Sequence, residues 1–374
     1  MKNLVKYILF FLLIILFFLG IDRVVGFFIS ANPDLKVYNR GLIIREHEKN
    51  LNKKYYLPTE YLKNSFNLEN KEYTLITDED GFIISNEEIK KYDTKIIFFG
   101  GSIVEGYASE SNFRFPYLVS KNFNNENIKV KTLNAGVFAN NTFHDLTILL
   151  SKGIPQKPNY AILLNGFNDF SQSTKGLYYW SKVNTGRKNF LYESDFSVNF
   201  YNILENNFKN LWLLLKINFS GIKLVKDRMY DEFFLQRKTA TDVLHIESIF
   251  LKDYQAMLRS FIDICKNNNI EPILMTHPNL LKKNNKKGME SYGIYQNQLN
   301  FEETVKIYAL FNNEIIKISK EKNVTFIDLD KELNGNEKYF IDLTHLSKEG
   351  NIKVASIISH TLKMNYPNEF KSIK

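Results

Sequence analysis

Cysteine is nearly absent from this 374-residue chain, in which Cys265 is the only one. A single cysteine excludes any intrachain disulfide, so cysteine usage carries no information about the redox compartment. Because Cys265 stands in an apolar pattern with helical spacing, we expect it to be a small side chain of the core. The fold must be held by noncovalent packing, for which a hydrophobic content of 44% provides the material.

Several binding signatures are missing as well. No two histidines have the close spacing of metal ligands. The segment FGGSIVEG, residues 99–106, lacks both the lysine of a P-loop and the glycine spacing of a dinucleotide-binding loop. No zinc-finger spacing and no basic helix with interleaved aromatic residues accompanies the net charge of +8. We therefore predict no metal, no cofactor and no nucleic-acid partner.

Much of the positive charge comes from lysines scattered among asparagines, as in the run from Lys282 to Lys287. A run of this kind predicts a solvated loop. The alternative is attraction to anionic lipid head groups or to an acidic glycan.

The longest apolar run stands at the N-terminus. Lysines precede an uninterrupted apolar stretch from Tyr7 to Ile21, and two charged residues separate it from a second stretch, VVGFFI. A helix needs about 20 residues to cross a bilayer, so residues 7–29 predict a transmembrane helix. Lysines before such a run favour a cytoplasmic N-terminus. We expect residues 1–29 to be a membrane anchor and the rest of the chain to be extracytoplasmic.

Two other interpretations of this run remain open. A cleaved signal peptide is one, since Ile29-Ser30-Ala31 resembles a small-residue cleavage site. A buried core helix is the other, although a terminal segment that is apolar on every face is unusual for one.

The remainder divides into a mixed segment and a regular domain. Residues 30–94 are rich in Tyr, Asn and Lys and are interpreted as a spacer or accessory segment, with Asp80-Gly81 as a turn. From Lys95 the pattern becomes regular, and residues 95–365 are predicted to be one domain.

Strands and helices alternate in that domain. Five short apolar runs are typical of buried strands, at residues 95–99, 128–133, 160–164, 272–276 and 324–328. Segments with helical spacing lie at about residues 113–124, 143–153, 242–269, 300–322 and 347–362. This alternation predicts an α/β fold with a five-stranded parallel sheet between two helical layers. The stretch 171–240 is too long for a simple connection, and its aromatic residues suggest an inserted cap.

Polar, small and titratable residues follow the ends of these strands. In an open parallel sheet, ligands bind beyond the carboxyl ends of the strands. The candidates there are Gly101, Ser102, Asn134, Gly136, Asn168, Asp169, His277, Asp342 and His345.

These side chains suit nucleophilic catalysis. A serine hydroxyl is a weak nucleophile that needs a base, and His345 is the best candidate base for Ser102. Asp342, three residues earlier, can orient the imidazole. The backbone N–H groups of Ser102 and Gly136 and the amide of Asn168 are predicted to bind the oxyanion. Gly101, Asn134, Asp169 and His277 are possible pocket residues.

The same blocks resemble those of the SGNH (GDSL-like) hydrolases. They read FFGGSIVEG with Ser102, LNAGVFANNT with Gly136, LLNGFND with Asn168, and DLTHLSKEGN with Asp342 and His345. The resemblance covers about residues 95–362 and implies a flavodoxin-like sheet and acyl hydrolysis or transfer without a metal. The first block has Gly-Gly-Ser-Ile where the family commonly has Gly-Asp-Ser-Leu, which makes substrate analogies less safe.

The predicted function is therefore a membrane-bound serine esterase acting on an extracytoplasmic carbohydrate or lipid ester. An O-acyltransferase of an envelope polysaccharide would use the same three side chains. A non-catalytic glycan-binding module of the same fold, or a phosphate-binding α/β protein, are further alternatives. The oligomeric state is not indicated.

Overall fold

The computed structural model describes residues 2–31, 45–68, 71–85, 91–173, 208, 250–295 and 299–370. In these residues the strands are β1 Asn52–Tyr56, β2 Glu72–Ile76, β3 Thr94–Gly100, β4 Val130–Asn134, β5 Tyr160–Leu164, β6 Glu271–Met275 and β7 Thr325–Ile327. The α-helices are α1 Lys2–Ala31, α2 Thr59–Asn64, α3 Ser102–Glu105, α4 Phe115–Asn125, α5 Thr142–Ile148, α6 Phe167–Ser173, α7 Leu251–Asn267, α8 Lys286–Tyr295, α9 Phe301–Glu321, α10 Leu329–Leu333 and α11 Lys348–Asn365.

The chain divides into two compact units. Helix α1 belongs to the first, and most of the large apolar side chains described in it are exposed, with Phe10 at 64% and Phe17 at 65%. In the described part of the chain, no helix has both the length and the apolarity to cross a membrane. The cap predicted at 171–240 lies outside the described residues, apart from 171–173 and Phe208.

The second unit is built on a five-stranded parallel sheet. Its strand order is β4-β3-β5-β6-β7, and every neighbouring pair is parallel. All five residues of β5 are buried, as expected for a central strand covered on both faces. This order is that of flavodoxin-like sheets, and the five predicted strands are confirmed within a residue or two.

Helices cover the sheet on both faces. Helix α4 packs against β4 and α11, whereas α7 packs against β6, α5 and α9. Right-handed connections require this arrangement, because the strand order reverses direction after β4. The side chain of Asn300 accepts from the N–H of Glu303, and the Glu303 carboxylate accepts from the N–H of Asn300, which fixes where α9 begins. The predicted three-layer α/β/α architecture is confirmed.

The described residues of the predicted spacer or accessory segment, from residue 45 onward, belong to the second unit. Strands β1 and β2 form an antiparallel hairpin, in which Tyr73 and Leu75 turn inward and are buried. The backbone N–H of Phe66 donates to the Ile341 carbonyl, and that of Ile83 donates to the Asn134 carbonyl. Burial of these apolar side chains stabilises the packing of this segment in the second unit.

The lysine run also differs from a solvated loop. The ammonium group of Lys282 lies 2.6 Å from a carboxylate oxygen of Asp330. Helix α8 begins at Lys286, and the ammonium group of Lys287 lies 5.1 Å from the ring centroid of Phe66. Part of the run therefore pairs with the protein rather than with a free anion.

Candidate active site

Ser102 stands directly after the first strand of the parallel sheet. Strand β3 ends at Gly100, and Ser102 begins the short helix α3. A Cβ atom on Gly101 would lie 2.4 Å from the amide nitrogen of Asn168. Only glycine permits this approach, and it brings the serine turn against the loop that follows β5.

Three side chains form a continuous hydrogen-bonded row at this edge. The Oγ of Ser102 lies 2.7 Å from Nε2 of His345, and Nδ1 of His345 lies 2.6 Å from Oδ2 of Asp342. An ionised carboxylate only accepts hydrogen bonds, so Nδ1 carries the proton and Nε2 is left to accept from the serine hydroxyl. The structure thus brings together the three residues predicted for the reacting centre.

Asp342 is held in its ionised form. It is completely buried, and burial alone would raise its pKa. The electrostatic interaction and hydrogen bonds with His345, and the hydroxyl of Tyr61, outweigh burial and hold the pKa of Asp342 well below its ordinary value. The Asp342 carboxylate accepts from the N–H groups of Thr344 and His345 at 2.9 and 2.8 Å, and from Tyr61 at 2.7 Å.

Asn168 lies at the start of α6, directly after β5. Its amide nitrogen donates to the backbone carbonyl of Asn140 at 2.7 Å, which leaves a second N–H for a ligand. The same carbonyl accepts from the amide of Asn165 at 3.0 Å, and Asn165 also donates to Asp145 at 2.6 Å. A buried polar network therefore fixes the Asn168 side chain.

The backbone N–H of Gly136, predicted to bind the oxyanion, has a partner within the protein. Its N–H donates to the side chain of Asn134 at 2.8 Å, and is not free for an oxyanion. A Cβ atom on Gly136 would lie 2.3 Å from the backbone nitrogen of Glu105, so the glycine is needed for close packing against α3.

A neighbouring residue supplies the free donor in this loop. From Ala135 to Thr142, each backbone N–H in the described structure donates a hydrogen bond within the protein except those of Phe138 and Ala139. The Phe138 N–H faces the Glu105 carboxylate. Ala139 has a φ of 59°, in the left-handed region that alanine rarely adopts. Backbone N–H groups are obligatory donors, so this one is available to a ligand.

The four predicted pocket residues, Gly101, Asn134, Asp169 and His277, are all buried. The crevice beside Ser102 and His345 is lined, among described residues, by Ile103, Gly106, Tyr107, Ser109, Leu346 and Asn351. None of the four predicted pocket residues is in this lining.

The contacts described for these four residues are with other parts of the protein. Gly101 permits the approach of Asn168, and Asn134 ties Gly136 to the Val104 carbonyl. Asp169 is fully buried and accepts from both the N–H and the hydroxyl of Thr142.

His277, the fourth, is buried against the ring of Phe167, and its Nδ1 lies 3.0 Å from the Pro278 carbonyl. Burial lowers its pKa to about 3, so this imidazole is neutral at physiological pH.

Several residues near the centre escaped the sequence analysis. Tyr107 packs its ring 5.0 Å from that of His345, and Tyr61 reaches Asp342 from the segment before the sheet. Glu105 is buried one turn after Ser102, and burial raises its pKa to about 7. Arg114 is also buried, which lowers its pKa to about 10. A charged residue inside an apolar block, such as Glu105 after Ile103-Val104, is the signal that could have found this pair.

Within the described residues, no group of three or more His, Cys, Asp or Glu side chains is arranged to hold a metal ion.

Comparison with known proteins gives similarities to solved structures only. No protein-family model and no curated protein matches the chain. An acetyl xylan esterase shares 16% identity, with 72% of this chain and 99% of that one covered and a TM-score of 0.43. An acetylxylan esterase from Geobacillus stearothermophilus shares 14%, with 74% and 96% covered and a TM-score of 0.42.

A GDSL-like lipase from Bacteroides thetaiotaomicron shares 13% identity, with 73% of this chain and 89% of that one covered and a TM-score of 0.40. With TM-scores below 0.5, these similarities carry no argument about activity. The argument about activity rests on the geometry of the site.

Proposed function

We propose that this protein is a serine-dependent ester hydrolase with Ser102 as its nucleophile. The observation that carries the proposal is the row of two short hydrogen bonds, Ser102 to His345 and His345 to Asp342. A hydroxyl, an imidazole and a buried ionised carboxylate in this order are the parts that acyl transfer through a covalent intermediate requires.

The first half of the reaction forms an acyl-enzyme. The Ser102 oxygen attacks the ester carbonyl carbon while Nε2 of His345 takes the hydroxyl proton, and Asp342 stabilises the resulting imidazolium. Collapse of the tetrahedral intermediate breaks the bond to the alcohol, which leaves with the proton from Nε2. In the second half, water gives a proton to Nε2 and attacks the acyl carbon, and Ser102 regains its proton as the acid departs.

The developing oxyanion needs donors from three loops. We assign the N–H of Ser102, the free amide hydrogen of Asn168 and the N–H of Ala139 to this role. Ala139 takes the place of the predicted donor Gly136, because the N–H of Gly136 already donates to the side chain of Asn134. Loss of one such donor typically costs about 3 kcal/mol of transition-state stabilisation.

For the substrate, we propose a carbohydrate or lipid ester outside the cytoplasm, with helix α1 holding the enzyme at a membrane. The lysines before the apolar run and the exposed apolar side chains of α1 support this location. The substrate class follows from that location and from the ester chemistry proposed above.

Activity is tested with a fluorophosphonate probe and short-chain p-nitrophenyl esters, on the parent and on Ser102→Ala. Labelling and turnover by the parent alone support the proposal. Equal turnover by both proteins would remove Ser102 from the mechanism. Release of free acid, rather than transfer to an added sugar hydroxyl, separates hydrolysis from acyl transfer.

Location is tested by membrane fractionation of the full chain beside a chain that begins at residue 32, and by a C-terminal reporter active only outside the cytoplasm. Membrane recovery of the full chain with an active reporter supports the proposal. The proposal is contradicted if the full chain fractionates as the truncated chain does, or if the C-terminal reporter is inactive.

A further inference from the structure

Three side chains outside the reacting row hold the backbone of the loop that carries Ala139. A guanidinium nitrogen of Arg45 donates to the carbonyl of Phe138 at 2.7 Å, and Nε2 of His47 lies 3.2 Å from the carbonyl of Gly136. The N–H of Phe138 faces the carboxylate of Glu105 and favours its ionised form. We call Arg45, His47 and Glu105 the loop clamp.

The protonation states of the clamp fit these contacts. Burial lowers the pKa of His47 to about 4, so its ring is neutral at physiological pH. A carbonyl oxygen only accepts, so Nε2 of His47 carries the hydrogen. Glu105 is only 4% exposed, and its Oε2 lies 4.0 Å from Nε2 of His47.

Glu105 sits among several charged and titratable groups from the elements around it. Arg114, next to the Phe115 that begins α4, is buried and donates to the Thr74 carbonyl at 2.7 Å. The other groups that face Glu105 are Arg45, His47, Tyr55, Tyr73, Tyr107 and His345. A cationic neighbour favours the ionised carboxylate, which is the stronger acceptor for the Phe138 N–H.

We propose that the loop clamp positions the oxyanion-binding N–H of Ala139. Hydrogen bonds from Arg45 and His47 hold the carbonyls of Phe138 and Gly136, and Glu105 faces the N–H of Phe138, which directly precedes Ala139 in the chain. With these atoms held, the orientation of the Ala139 peptide is set before substrate arrives. The inference rests on the proposed ester hydrolysis, and it makes the segment before the sheet a part of the catalytic apparatus.

The three clamp residues are positioning residues, since they act through the loop and not on the substrate. A donor that binds only the oxyanion stabilises the transition state more than the ground state. Its displacement therefore lowers kcat and leaves KM nearly unchanged. General destabilisation of the fold would instead reduce the amount of active enzyme.

The experiment compares Glu105→Leu, Glu105→Gln and Arg45→Met in the full chain, with Arg259→Met as the matched control. Arg259 makes a contact of the same length as that of Arg45, an ion pair with Glu321 at 2.7 Å, but this pair joins helices α7 and α9. Kinetics are measured with p-nitrophenyl acetate on the pH-independent plateau, which removes any effect of charge on His345.

We expect Glu105→Leu to lower kcat about 10- to 100-fold with KM within about twofold, by analogy with the loss of an oxyanion donor. Glu105→Gln keeps an acceptor for the Phe138 N–H and should retain kcat within about threefold. Arg45→Met should lower kcat about 3- to 10-fold, because one of two clamp contacts to Phe138 is lost. Arg259→Met should match the parent.

Amide hydrogen exchange provides a readout that does not depend on activity. Peptides that cover residues 135–141 should exchange faster in Glu105→Leu and Arg45→Met than in the parent and in Arg259→Met. If the parent is inactive on every ester, the proposed function fails. The exchange data alone then show whether the loop clamp restrains the backbone of residues 135–141.

An active parent whose Glu105→Leu and Arg45→Met variants keep full kcat and unchanged exchange would overturn the clamp and leave ester hydrolysis standing. If Glu105→Leu does not fold, Arg45→Met decides, because its side chain is only partly buried. A parental kcat in that variant overturns the proposal.

Discussion

The hydroxyl of Tyr61 and the imidazole of His345 share one oxygen of Asp342, at 2.7 and 2.6 Å. We predict that Tyr61→Phe lowers kcat about 3- to 10-fold with little change in KM, because the carboxylate loses one of the bonds that orient it. Steady-state ester hydrolysis measures the change. Tyr56→Phe is the control, since Tyr56 belongs to the same segment and is 73% exposed. Equal losses in both variants would refute a specific role.

Glu105 makes the stability of the fold depend on pH. Its pKa in the folded protein is about 7, above the ordinary 4.5, so folding favours the protonated form. The associated stability is complete below pH 4.5 and is lost as the pH rises toward 7. A shift of this size corresponds to about 3 kcal/mol of unfolding free energy.

Glu105→Gln removes this titration. We predict that the unfolding free energy of the parent, minus that of Glu105→Gln, falls by about 3 kcal/mol between pH 4 and pH 8. Denaturant unfolding of both proteins across this range measures it, and titrations common to both cancel in the difference. A difference that stays constant with pH would show that Glu105 is not buried as described.

At the scale of elements, the loop after β4 and helix α3 depend on each other. A methyl group on Gly136 would lie 2.3 Å from the Glu105 nitrogen and 2.7 Å from the Val104 carbonyl carbon. We predict that Gly136→Ala costs about 2 kcal/mol or more of unfolding free energy, because backbone must move on one side. Ester turnover should fall at least about tenfold as the loop is displaced. Normal stability together with normal turnover would contradict this packing.

The sheet was predictable from sequence because its strands are apolar on both faces. Residues 160–164 are all buried, and a run of that kind has few other interpretations. The hairpin β1–β2 was not predicted, because β1 carries Lys53 and Lys54 on a mostly exposed strand. In β2 only alternate residues are buried, and this alternation covers too few residues to predict a strand among polar neighbours.

The site was predictable in its side chains and less so in its backbone. Ser102, Asn168 and His345 follow strand ends, where the topology of a parallel sheet gathers polar groups. The assignment of Gly136 failed because it depended on which N–H remains free, and Asn134 folds back two residues to occupy it. Ala139 carries no signature, since its availability comes from backbone geometry alone.

At the scale of the whole molecule, the segment before the sheet belongs to the catalytic unit. We predict that a chain beginning at residue 45 hydrolyses p-nitrophenyl acetate like the full chain, whereas one beginning at residue 91 loses at least about 90% of kcat. The shorter chain lacks Tyr61, Arg45 and His47, and it exposes the apolar surface that Leu75 covers. Full activity of the shorter chain would show that the segment is dispensable.

The contacts that complete the site join residues far apart in the chain. Ser102 and His345 are separated by 243 positions, and Tyr61 and Asp342 by 281. During synthesis at about 5–20 residues per second, the nucleophile emerges well before its base. The growing polypeptide therefore lacks this base until residue 345 has left the ribosome, and a product terminated before that residue would retain the serine without any means to activate it.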